Sequence, residues 1–163
     1  MNLLVTGAWP EAENRIPEIE AMGHSVLFMR QEKDELPCPH GWVEGTVCNR
    51  LFLYHPIERF TNLRFIQLTS AGFDRVPMTW IEEHNIKIHN AKGVYSVPMA
   101  EFAVWGVLEI YKKARFFYEN QKLHRWEKNR GILELSGRTV AIIGCGDVGC
   151  ECKKLRGLRL QDY

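Results

Sequence analysis

Three glycines near the end of the chain, Gly144, Gly146 and Gly149, stand at G-x-G-x-x-G spacing behind the apolar run from Thr139 to Ile143. A strand followed by this turn and a helix can receive a dinucleotide. The first glycine allows a tight turn, the second lets the backbone approach a pyrophosphate, and the third lets helix and strand pack closely. The helix N-terminus then offers N–H groups and a favourable dipole to the anion. The pattern expects an acidic residue ~20 positions further on, at the end of a second strand, to meet the ribose hydroxyls. Asp162 lies 18 residues after Gly144, but "GLRLQD" is a weak strand and Gly157 interrupts the helix before it. The second βα unit is therefore expected to be missing.

A second constellation is "LTSAGFDRVP" directly behind a strand. Thr69, Ser70, Ala71 and Gly72 are small, so backbone N–H groups can turn inward where ligands of open α/β sheets sit. Such a nest suits a carboxylate. An ordinary strand-to-helix turn, with Asp74 capping the next helix, fits the same spacing. A third is "HNAKGVYSVPMAEFA". There Asn90 can orient a loop and Tyr95 can project into a cleft between domains. Taken alone, these residues favour the plainer reading, with Tyr95 packed on the sheet edge and Glu101 complementing a helix N-terminus.

The composition narrows the setting. The chain has 163 residues, 45% of them hydrophobic and 25% charged, and a net charge of +1. That charge gives no argument for nucleic acid or an anionic membrane. No apolar run approaches the ~18 residues of a spanning helix. "MNLLVTGAW" lacks the basic start of a signal peptide and reads as a first strand. Five cysteines, an odd number without an export signal, suit a reducing cytoplasm rather than a disulfide framework. Cys150 and Cys152 have no partner cluster at metal-ligand spacing, so no metal site is expected.

The elements that must position these residues alternate. Strands are expected at "NLLVTG", "SVLFM", "TVCN", "LRFIQLTS" and "IKIHN", with helical patterns at "PEAENRIPEIEAMGH" and "PMTWIEEHN" and a helix or turn at "HPIERFTN". Five strands with interleaved helices make a small α/β domain of flavodoxin type around a parallel sheet. Positions 100, 103, 104, 107, 108, 111 and 114 then predict one long amphipathic helix over residues 96–126, capped by Ser96, with Pro98 in its first turn. Phe102, Trp105 and Phe116 lie beside the stripe, as in a helix that also meets a second domain or subunit. The domain boundary is expected near Met99, giving residues 1–99 and 100–163.

Three stretches, "NLRFIQLTSAGFDRVP", "IKIHNAKGVYSVPMAEFAVWGVLEI" and "ELSGRTVAIIGCGDVG", resemble the D-isomer-specific 2-hydroxyacid dehydrogenases in order and spacing. The resemblance implies a flavodoxin-like substrate domain followed by the first strand, turn and helix of a Rossmann domain. It implies that Ser70, Ala71 and Gly72 present amides to the substrate carboxylate, that Tyr95 lies against the substrate, and that Asn49 adds a polar contact. Asp147 and Val148 would lie with the glycines against the pyrophosphate, and the long helix would form a homodimer.

The implied activity is oxidation and reduction of small D-2-hydroxy and 2-keto acids with NAD, NADP being possible. The family's catalytic Arg, acidic partner and His follow the glycine turn, and nothing in this sequence matches them; none of the six histidines occupies the catalytic position. The expectation is thus a truncated, inactive chain. A non-catalytic nucleotide-sensing or protein-binding module on the same scaffold is the competing reading.

Overall fold

The computed structural model describes residues 1–144 and 146–154 and the backbone of Arg159–Asp162; Cys145, residues 155–158 and Tyr163 lie outside the described residues. The chain forms two compact units, Met1–Lys92 and Gly93–Tyr163.

In the first unit five strands alternate with short helices. They are β1 Asn2–Thr6, α1 Ala12–Ala21, β2 Ser25–Met29, β3 Gly45–Cys48, α2 Leu51–Tyr54, β4 Phe65–Leu68, α3 Met78–Glu83 and β5 Lys87–His89, with 3-10 turns at His40–Trp42 and Ile57–Arg59. The five strands form one sheet of order β2-β1-β3-β4-β5. Every neighbouring pair is parallel. This is the flavodoxin-type order, and its direction reverses between β1 and β3. Helices cover the sheet because each apolar strand must bury both faces. Leu4, Val5, Ile66, Leu68 and Ile81 are almost wholly enclosed, with Leu51, Ile57 and Phe60 closing one side.

Strand spacing is tight at one edge. A Cβ on Gly7, just past β1, would lie 2.3 Å from the Arg30 carbonyl oxygen. Gly7 N–H instead donates to the Met29 carbonyl at 2.9 Å, extending the β1–β2 ladder.

The second unit holds α4 Ser96–Tyr111, α5 Ala114–Lys122, β6 Thr139–Ile142, α6 Asp147–Lys154 and β7 Arg159–Asp162. Three expectations change here. The single helix over residues 96–126 is two helices, broken at Lys113, whose φ is 54°. The cause is remote in sequence. Leu133 N–H donates to the Tyr111 carbonyl at 2.9 Å, and Lys112 Nζ donates to the Leu133 carbonyl at 2.9 Å. The polar link thus takes over the end of α4, where helical carbonyls lack partners of their own.

Ser96 is not a cap either. It is the first, buried residue of α4, Tyr95 stands at the capping position, and no side chain caps the helix. Likewise no side chain caps α3, so Asp74 does not serve there.

Finally, the segment read as a weak strand does pair, although no helix follows it among the described residues. Arg159–Asp162 pairs parallel with β6, Thr139 opposite Arg159 and Ile142 opposite Asp162. Strand formation here follows from the open edge of β6 rather than from the weak propensity of the segment.

Candidate functional site

The C-terminal edge of the five-stranded sheet gathers Thr6, Glu32, Asn49, the loop after Leu68, and Asn90. This is the edge where open α/β sheets hold ligands. The Ser70–Gly72 loop is arranged by its carbonyls. Ala91 N–H donates to the Ser70 carbonyl at 2.9 Å. Asn90 Nδ2 donates to the Ala71 carbonyl at 2.6 Å, and Ser70 Oγ donates to the Gly72 carbonyl at 3.1 Å. With all three carbonyls engaged, the N–H groups of Ser70, Ala71 and Gly72 make no bond among the described residues. Successive unpaired N–H groups attract an anion. Asn90 therefore orients the loop.

Asn49 is placed beside that loop. Cys48 and Leu68 are partners across β3 and β4, and Thr69 N–H donates to the Cys48 carbonyl at 2.9 Å, so Asn49 and Thr69 leave the sheet side by side. Two residues that sequence reasoning did not single out fix it. The Glu32 carboxylate accepts from Asn49 N–H and Arg50 N–H at 2.6 Å each, and from Thr6 Oγ1 at 2.8 Å. Arg75 Nη1 donates to Asn49 Oδ1 at 2.9 Å. Arg75 Nε also stands 3.6 Å from Asp74 Oδ2. The one sequence signal for Glu32 was its position three residues past the second strand, on the ligand edge of the sheet.

Tyr95 belongs to the second unit, at the start of α4, and is about half exposed. The structure therefore brings together Asn49, Ser70, Ala71 and Gly72 in one unit and holds Tyr95 in the other.

In the second unit the glycine turn has the geometry the motif requires. Gly144 has φ of 94°, where a side chain would be strained. No atom lies within 4 Å of where a Cβ on Gly146 would stand, so an incoming group can approach the backbone there. A Cβ on Gly149 would lie 2.8 Å from the Gly144 carbonyl oxygen and 3.2 Å from Ile142 Cγ2, so helix and strand meet only because it is absent. Asp147 and Val148 open α6, with Asp147 in the positive first turn. These residues fit a dinucleotide pyrophosphate.

The family model described as "D-isomer specific 2-hydroxyacid dehydrogenase, catalytic domain" matches residues 55–145, more than half of the chain. The chain belongs to this family. The 2-hydroxyacid dehydrogenase fold is equally plain in the solved structures. NAD-dependent formate dehydrogenase from Staphylococcus aureus superposes with TM-score 0.78 at 20% identity, over 100% of this chain and 56% of that one. An NADPH-dependent glyoxylate/hydroxypyruvate reductase from Sinorhizobium meliloti gives 0.78 at 20% identity, over 99% and 52%.

Among curated relatives, the erythronate-4-phosphate dehydrogenase of Marinobacter nauticus is 32% identical over 95 residues, covering 58% of this chain and 21% of the relative. The hydroxypyruvate reductase of Blautia hydrogenotrophica is 24% identical over 144 residues, covering 80% and 44%. The chain thus spans less than half the length of either relative.

Electrostatics elsewhere in the first unit separate structural from available groups. Burial, with the Glu32 charge adding to it, pushes the Cys48 thiol up to about 12. Burial first, then the charges of Arg59 and His55, holds the His40 imidazole below its ordinary value. Its ring packs edge-on against Phe60, centroids 4.9 Å apart, and its buried Nε2 has no hydrogen-bond partner. His55 Nε2 bonds the Glu32 carbonyl oxygen at 2.9 Å, and His89 lies beside Phe65 with ring centroids 5.8 Å apart. No helix among the described residues is long and apolar enough to cross a membrane, and no group of three metal-ligating side chains occurs among them.

Proposed function

We propose that residues 1–163 supply the substrate loop and the phosphate turn of an NAD(P)-dependent dehydrogenase acting on small D-2-hydroxy and 2-keto acids. The observation that carries this reading is the Ser70–Gly72 loop, whose three carbonyls are engaged and whose three N–H groups are left for an anion. The substrate carboxylate accepts from those amides, Asn49 contacts the same ligand, and Tyr95 is proposed as a further substrate residue. Gly144, Gly146, Asp147, Val148 and Gly149 receive the pyrophosphate. The dinucleotide, when bound, supplies or takes the hydride at C2.

NAD is the preferred dinucleotide. The preference rests on NAD being the commoner dinucleotide among the family's members, with NADP possible. The second unit also carries an apolar surface, with Phe102 and Ile110 of α4 about 70% exposed and Trp105 about half exposed. Patches of this kind mark subunit contacts, and it serves a homodimer. The substrate loop belongs to the first unit, and α4, α5 and the dinucleotide turn to the second. The setting is cytoplasmic.

None of the six histidines is assigned as the acid/base, so residues 1–163 alone bind reactants without turning them over. Hydride transfer demands reacting atoms held ~3–3.5 Å apart by groups that fix both partners. The test follows NADH oxidation with a panel of small 2-keto acids and resolves the enantiomers formed. Residues 1–163 give a flat trace, and the same residues within a polypeptide of full family length give the D-2-hydroxy acid. An L-product, or no oxidation by either, sinks the reading; dinucleotide binding without turnover by the longer polypeptide would favour a nucleotide-sensing module.

A further inference from the structure

Asn49 has the two ends of its side-chain amide in different circumstances. Oδ1 accepts from the Arg75 guanidinium at 2.9 Å, while Nδ2 makes no bond among the described residues. A guanidinium carries donors only, so it can hold the amide in just one of its two orientations. Its planar fork is a rigid partner, unlike an ammonium. The backbone of the same residue is fixed independently, because the Glu32 carboxylate accepts its N–H at 2.6 Å. Asn49 stands beside Thr69, whose N–H is bonded to Cys48, so the fixed amide is next to the loop with three unpaired N–H groups.

We propose that Arg75 is a positioning residue that makes Asn49 a hydrogen-bond donor toward the ligand, and so sets the site to accept oxygen acceptors. Without Arg75 the amide can turn over and present Oδ1, an acceptor that repels a carboxylate or keto oxygen. With Arg75 in place, Nδ2 adds two donors to those of Ser70, Ala71 and Gly72. The positive charge of Arg75, about a third exposed, further favours an anion at this edge. Asp74, at 3.6 Å from Arg75 Nε, offsets part of that charge. The inference rests on the proposed binding of 2-keto acids at this loop.

The test uses the 163-residue chain, with pyruvate as the probe and nitrogen-15 spectra that resolve both backbone and side-chain amides. In the wild type, pyruvate shifts the Asn49 side-chain amide pair together with the loop amides. Arg75→Met weakens pyruvate about 10-fold, the loss of one hydrogen bond made with a charged partner. Arg75→Lys, which keeps charge and donor, recovers most of that loss. Backbone spectra report whether each variant is folded, and Arg75→Leu, likewise without a donor, replaces the Met variant if the latter is not. Equal affinity of wild type and Met or Leu variant overturns the inference, as does pyruvate binding that leaves the Asn49 side chain unshifted. A folded wild type that binds no pyruvate instead overturns the substrate reading, and the positioning role with it. A structural role alone would lower stability without separating Lys from Met.

Discussion

Gly149 faces the carbonyl oxygen of Gly144 so closely that a Cβ would intrude to 2.8 Å. The oxygen belongs to the backbone of a turn already held at positive φ, so it has little room to withdraw. Gly146, two residues further into the same turn, has nothing within 4 Å of its missing Cβ. The two glycines are needed for different reasons, one by the protein and one by the ligand.

That difference predicts opposite signatures. Gly149→Ala destabilises the second unit by roughly 1–3 kcal/mol, the cost of overpacking against fixed atoms, despite the better helix propensity of alanine. Gly146→Ala leaves stability within about 0.5 kcal/mol, as surface changes usually do. Dinucleotide affinity nonetheless falls at least ~10-fold, because the methyl occupies the approach to the backbone. Urea unfolding followed by the emission of Trp105 and Trp126, beside equilibrium NADH titrations, separates the two. Equal effects on stability would contradict the assignment.

Much of the fold was legible because β1 to β5 are short apolar runs bounded by polar turns, the pattern that parallel strands impose. The break at Lys113 was not legible, since the donor that ends α4 is Leu133 N–H, 22 residues beyond Tyr111. A periodicity scan sees the apolar stripe continue and cannot see the chain return. β7 was missed for a related reason: its partner, β6, decides its conformation more than its own residues do. In the site, the small residues of the loop signalled a nest. Glu32 and Arg75 were not legible because their partners, Thr6 and Asn49, are distant in sequence.

The pH dependence of the first unit is predicted to run through His40. Burial, Arg59 and His55 lower its folded-state value, so the unfolded chain binds the proton more readily. Stability then rises with pH wherever the unfolded state holds more protons. The contribution is complete above the unfolded value of about 6.5 and is lost as pH falls below it toward the folded value. His40→Leu should flatten the fall in urea midpoint between about pH 7 and 5 relative to wild type, with the other histidines common to both. A fall at least as steep in the variant would remove His40 from the account.

Thiol chemistry should sort the cysteines by position. Cys48 is fully enclosed and its thiol is pushed up to about 12, so almost no thiolate exists at neutral pH. Cys150 is exposed on α6. Brief treatment of the native protein with iodoacetamide should alkylate Cys150 and spare Cys48, which reacts only in denaturant. Peptide mass mapping reads both sites, and modification of Cys48 in the folded protein would show that the β3 end opens readily.

The Ser70–Gly72 amides are the groups that must receive the substrate carboxylate. Pyruvate and its neutral amide, pyruvamide, differ at that group alone, and each can be titrated into the nitrogen-15-labelled chain. The predicted result is saturable movement of the Ser70, Ala71 and Gly72 backbone resonances with pyruvate, and little or none with pyruvamide at the same concentration. Equal responses to the two compounds, or shifts centred elsewhere in the chain, would contradict it.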